Sequence, residues 1–181
     1  MKSFLLMILI VSTHQLMAQK YSCRDGYVKF FSEAPMEDIE AHNNEGTSIF
    51  KANTGEVAFS VPIKGFTFDK SLMQEHFNEK YMESDKFPNT TFKGSITGYS
   101  QGQPGWQDAT ANGEFTIHGV TKNVDIEGEV QFSGNQCTMK ATFPVRLVDY
   151  NIKIPKVVFY NIAEVVEVTI NFDYKKSEDA N

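Results

Sequence analysis

Ala111-Asn112-Gly113-Glu114-Phe115-Thr116-Ile117-His118-Gly119-Val120-Thr121-Lys122-Asn123-Val124-Asp125-Ile126-Glu127-Gly128-Glu129-Val130 is the stretch from which the fold is read. Before His118-Gly119, the small or apolar residues Ala111, Gly113, Phe115 and Ile117 alternate with polar ones. After Lys122, Val124, Ile126, Gly128, Val130 and Phe132 do the same. Successive side chains of a strand point to opposite faces, so this period of two divides a wet face from a dry one, and the break between the runs predicts a hairpin.

The pattern continues outward in both directions. Ser133-Gly134-Asn135 turns the chain, and Cys137, Met139, Ala141, Phe143, Val145 and Leu147 make the next dry row. A last strand carries Val166, Val168, Ile170, Phe172 and Tyr174 before a polar tail. Upstream, Asn53-Thr54-Gly55 reads as a turn into Val57, Phe59, Val61 and Ile63, and Thr91 to Thr97 is a further strand. Val28, Phe30, Ser32 and Ala34 alternate more weakly, because aromatic residues occupy both faces, and residues 46–53 form a short strand. One segment has helical spacing: Leu72, Met73, His76, Phe77 and Lys80 predict a helix over Ser71 to Tyr81, with Asp69 or Ser71 as its cap. Tyr99 to Asp108, with Gly102, Pro104 and Gly105, reads as a surface loop.

Antiparallel strands that are each dry on one face either pack as two sheets or close into a barrel, and both satisfy the pattern. Ala111, Gly113, Gly128 and Ala141 lie on three consecutive strands and favour a barrel with space inside. The bland alternatives are that the helix packs there, or that glycine permits the coiling a closed sheet needs. The fold class expected is all-β, an antiparallel up-and-down barrel with one short helix.

The N-terminus has a secretory pattern: Lys2, an apolar run from Phe4 to Val11, then Leu16-Met17-Ala18. Residues 1–18 are read as a cleavable signal peptide, 19–175 as the barrel domain and 176–181 as a polar tail, which places the mature protein in the periplasm or outside the cell. The apolar run is shorter than the roughly 20 residues that cross a bilayer, so no membrane span is expected. Lys20-Tyr21-Ser22 before Cys23 lacks the apolar and small residues that lipid attachment calls for. Loss of Lys2 moves the formal charge from −6 to −7, with 16 basic residues against 23 acidic, which disfavours nucleic acid as a partner. Cys23 and Cys137 could pair as a disulfide or remain two buried thiols.

No constellation for catalysis is evident. The mature chain has His42, His76 and His118. His76 and Glu79 share a helix face and could contribute to a metal site, but such a pair is more often solvated surface. No Gly-x-Ser-x-Gly elbow occurs, and Glu114, Asp125, Glu127, Glu129, Glu167 and Asp173 all fall on the wet face. No catalytic residue, metal or cofactor is expected. Lys86, Lys93, Lys122, Lys153 and Arg146 would matter if a ligand carried phosphate; otherwise they serve solubility.

Three segments together resemble the YceI-like family: His76-Phe77-Asn78 to Ser84-Asp85-Lys86-Phe87-Pro88, Gly113 to Lys122, and Phe143-Pro144-Val145. The resemblance spans about Tyr21 to Tyr174, and its most specific part is the central Phe-Thr-Ile-His-Gly-Val-Thr-Lys hairpin. It implies a lipocalin-like barrel, exported, that holds a polyisoprenoid or other long-chain apolar lipid in a tunnel, with no catalytic residues. Val148 to Pro155 departs from the polar stretch that members often carry, which leaves the ligand's identity open. The lining residues come from the alternation itself: Phe59, Ala111, Gly113, Phe115, Ile126, Gly128, Val130, Met139, Ala141, Phe143, Val168 and Ile170. About twenty buried carbons in such a tunnel would supply on the order of 10 kcal/mol or more before ordering costs. The helix and the 99–108 loop are expected near an opening, the helix as a gate. Two rivals stand beside this reading: an interaction domain with a packed core, using Phe31, Trp106 or Tyr160, and an enzyme using His76 or His118. Association of two chains as a homodimer is compatible with the sequence.

Overall fold

Of the two arrangements that alternating strands allow, the chain adopts the closed one, with β-pairing running all the way round. The computed structural model describes residues 19–33, 38–154 and 163–177. Its strands are β1 (Lys20–Ser32), β2 (Ile39–Lys51), β3 (Glu56–Pro62), β4 (Thr67–Phe68), β5 (Asn89–Thr97), β6 (Trp106–Ile117), β7 (Val120–Ser133), β8 (Gln136–Arg146) and β9 (Val165–Lys176). Going round the wall, β1, β2, β3, β5, β6, β7, β8 and β9 follow one another in chain order, all antiparallel, and β9 pairs with β1 to complete an eight-stranded up-and-down barrel. The two-residue β4 adds to the flank of β2 through Ala41↔Phe68 and His42↔Thr67.

The dry rows of β3 and of β6 to β9 face inward as the sequence predicts. The first two strands differ. β1 starts at Lys20, with Tyr21 and Cys23 buried, and β2 starts at Ile39, well before residue 46. Register shifts between Cys23 and Gly26, and between Gly26 and Val28, move the inward positions from odd to even numbers, and this hides the period of β1. In β2 the inward row reads Ala41, Asn43, Gly46, Ser48, Phe50, too small and polar to signal a core strand. Gly26 and Gly46 face each other across the ladder because the Phe172 ring fills the space their side chains would need.

The loop read over 99–108 is shorter, since Trp106 already belongs to β6. The predicted helix forms as α1 (Ser71–His76) and continues as a π-helical turn over Phe77–Tyr81. Neither Asp69 nor Ser71 caps it; its N-cap is Lys70, whose carbonyl accepts the Met73 and Gln74 N–H groups at 3.0 and 3.2 Å. β9 runs to Lys176, and the Ser177 N–H donates to the Lys20 carbonyl at 2.8 Å, so the start of the expected tail is paired. The signal-peptide segment, Ala34, Tyr160 and 178–181 lie outside the described residues.

One stretch of wall is incomplete. β7 and β8 pair only from Glu129↔Lys140 to Ser133↔Gln136, although both strands run on well beyond that point. Among the described residues no further ladder pair joins them. At the far end a 3-10 turn over Leu147–Tyr150 spans the split, through Lys122 and Asp149 at 3.7 Å and through His118 Nδ1 and the Tyr150 carbonyl at 3.2 Å.

Candidate ligand cavity

The two ends of the barrel differ because large side chains are unevenly distributed along the inward rows. At the end where Lys20 meets Lys51, aromatic residues from five places converge. Tyr21, Phe50, Tyr99, Phe132 and Tyr174 stand 5.7 to 6.5 Å apart in successive pairs, close enough for ring contact. Their polar tips are satisfied locally: the Tyr174 and Ser48 hydroxyls are 2.8 Å apart, and the Tyr99 hydroxyl donates to the Ala52 carbonyl at 2.7 Å. Cys23 and Cys137 are buried here as free thiols, so of the two readings the unpaired one holds. Burial pushes the Cys137 thiol up to about 12 and raises Tyr174 as well. The 98–105 loop folds over this end, held by Gln107, whose side chain bonds both the N–H and the carbonyl of Ser100. That corrects its expected place near an opening: it caps the sealed base, away from the helix.

Halfway up, Phe59 stacks on Phe92 with centroids 5.3 Å apart, and meets Phe172 at 5.8 Å and Phe115 at 6.3 Å. Above these rings the side chains stop meeting. A cavity of about 260 Å³ extends from there to the helix and is partly open. Its wall is apolar, with Ser32, His76, Tyr81 and Thr90 as the polar exceptions. The Ser32 hydroxyl already accepts the Ala163 N–H at 2.9 Å. No protein hydrogen bond to His76 or Tyr81 side chains is present among the described residues, and burial raises the Tyr81 hydroxyl.

Of the residues read as lining, Phe59, Phe115, Phe143, Val168 and Ile170 face this cavity. Ala111, Ile126, Gly128, Val130, Met139 and Ala141 lie below the rings, around a separate void of about 60 Å³. Gly113 lines neither. It sits opposite Gly94 on β5, where a Cβ would run into the Lys93 carbonyl, so its smallness serves close strand approach, a role the sequence reading did not weigh. Among the lining residues that the sequence reading missed are two groups. Val61, Ile63, Ile117, Val145 and Val166 continue rows it had identified, toward the helix end. Phe66, Phe68, Met73, Phe77, Met82 and Ile152 come from outside the barrel strands, where no period of two could flag them.

The helix is fastened by aromatic contact. Phe77 stacks on Phe30 at 5.4 Å and touches Phe68 at 5.0 Å and Phe66 at 5.6 Å. Its exit is fastened by His118, which has φ 50 in the hairpin turn. Nε2 of His118 donates to the Glu83 carboxylate at 2.9 Å, and its ring lies edge-on to Phe87 at 4.6 Å. The central hairpin motif thus has a structural role, and His118 does not face the cavity. His42 is also engaged: Nδ1 accepts from the Tyr27 hydroxyl at 2.7 Å and Nε2 faces Glu40 at 2.9 Å. No group of three His, Cys, Asp or Glu side chains with metal-site geometry occurs among the described residues. Among the basic candidates, Lys122 pairs with Asp149 and Lys86 stands 4.0 Å from Glu83. Trp106 is exposed on the outer wall with the Lys140 ammonium 4.1 Å over its ring, and Phe31 is half-buried.

The sequence profile of the YceI-like domain matches residues 27–174. Solved structures with the same fold include Burkholderia cenocepacia BcnA, 16% identical, covering 82% of this chain and 95% of its own, with a TM-score of 0.69. A polyisoprenoid binding domain from Saccharophagus degradans, implicated in plant cell wall breakdown, is 14% identical, with 88% and 99% covered and a TM-score of 0.71. The YCEI protein of Campylobacter jejuni is 11% identical, with 98% and 100% covered and a TM-score of 0.63. No curated protein sequence matches the chain.

Proposed function

Since the chain belongs to the YceI-like family, we propose that it is an exported binding protein that carries or stores a polyisoprenoid or other long-chain apolar lipid inside its barrel, without catalysing a reaction. The observation that carries this reading is the cavity of about 260 Å³ between the Phe59 ring and the helix, walled almost wholly by apolar side chains. Such a wall offers desolvation and little direction, which suits a hydrocarbon tail and not a reacting group. Among the described residues the His76 and Tyr81 side chains, on the helix side, hold no hydrogen-bond partner, so they suit the polar head of a lipid short enough for the cavity. The polyisoprenoid binding named for the Saccharophagus degradans domain of the same fold supports the ligand class. The secretory pattern of residues 1–18 supports export to the periplasm or beyond. Helix α1 and its π-helical turn act as the cover that ligand must pass.

Native mass spectrometry of the protein purified gently from bacteria tests this. A co-purifying apolar mass that leaves on mild activation is expected. Bare protein, with no uptake of added polyprenol, would favour the interaction-domain reading.

A further inference from the structure

The two voids in the barrel are separated by one wall. Phe59 on β3 and Ile170 on β9 are the only described residues that line both the cavity of about 260 Å³ and the inner void of about 60 Å³. The Phe59 ring is held on three sides by Phe92, Phe115 and Phe172, and these three are 1%, 4% and 1% exposed. The void below it is less than half the size of a cavity that holds benzene, about 150 Å³, so the ring finds little room beneath.

We propose that Phe59, backed by Ile170, is the floor of the ligand cavity and sets how much of an apolar chain enters. On the benzene measure, about 25 Å³ per carbon, the outer cavity takes about ten carbons. This rests on the lipid-binding reading and sharpens it: a long-chain lipid inserts only its terminal segment, and the remainder stays on the helix side. Val130, Met139 and Ile126, expected to line a full-length tunnel for about twenty carbons, lie beneath the floor and do not meet the ligand.

Straight-chain fatty acids of about six to about eighteen carbons, below micellar concentration, provide the test by displacement of a bound fluorescent apolar probe. One head group throughout cancels its own contribution. In the wild-type protein affinity should rise about fourfold per carbon up to about ten carbons and then level off. Phe59→Ala removes six ring carbons and joins the voids, so the rise should continue to about eighteen carbons, with Phe59→Leu between. Val168→Phe, above the floor, should level off earlier; it and the wild-type curve keep the test intact if Phe59→Ala does not fold. A wild-type rise that continues past about fourteen carbons, or one plateau shared by wild type and both Phe59 variants, overturns the floor while leaving lipid binding intact. Failure of every chain length to bind wild type overturns both.

Discussion

The Glu83 carboxylate lies 2.9 Å from Nε2 of His118, tying the exit of the helical segment to the turn between β6 and β7. Both residues have left-handed backbone conformations, φ 43 and φ 50, and Nδ1 of His118 stands 3.2 Å from the Tyr150 carbonyl. One imidazole therefore joins three loops at the ligand end, and it is nearly covered while Glu83 is half-exposed.

His118→Asn separates this clamp from the backbone requirement, because asparagine tolerates the left-handed region but is too short to reach both partners. The variant should lose about 1 to 2 kcal/mol in denaturant unfolding and exchange its 77–87 amides faster. His76→Ala, on the cavity wall, should leave stability within about 0.5 kcal/mol of wild type. If His118→Asn instead abolished a measurable turnover with stability unchanged, the enzyme reading would gain over the carrier.

The sealed base should make the protein sensitive to alkali. Cys137 ionises near 9.0 when exposed but only at about 12 in the folded chain, and Tyr99 moves from 10.0 to about 12, in both cases chiefly through burial. Between those values the unfolded chain has released protons that the folded chain keeps, so stability falls as pH rises. Denaturation midpoints should hold steady below about pH 9 and decline from there to about 12. Cys137→Ala should flatten the first part of that decline. A thiol reagent at neutral pH should label neither cysteine until denaturant is added.

Hydrogen exchange can read the incomplete wall directly. Amides of residues 121–128 on β7 and 141–145 on β8 that point into the split should exchange much faster than those of Glu129–Ser133, which are held in the ladder. Uniform protection along both strands would mean that the ladder zips further in solution.

Where regular alternation ran unbroken, as from Ala111 to Leu147 and from Val166 to Tyr174, strand, face and barrel class were legible because period two is a local property of the chain. β2 was not, since its inward Asn43 and Ser48 are satisfied by partners far away in sequence: Asn43 donates to the Pro62 carbonyl and Ser48 to the Ala58 carbonyl. The site was half legible. Alternation identifies which side chains point inward, but whether inward side chains meet depends on which rings lie at the same height on strands distant in sequence. Phe59, Phe92 and Phe172 share a level and close the barrel there. Small residues on β6 to β8 suggested room in the interior, yet the room beside them is only about 60 Å³, because the Phe172 and Tyr174 rings of β9, the neighbour of β8, reach into it.

The bond from Ser177 to the Lys20 carbonyl puts both ends of the described chain at the closed pole of the barrel. A tether, affinity handle or fused partner attached there would grip the molecule from behind and present the helix-covered pole outward. Immobilised by either terminus, the protein should take up hydrocarbon from solution as readily as when it diffuses freely.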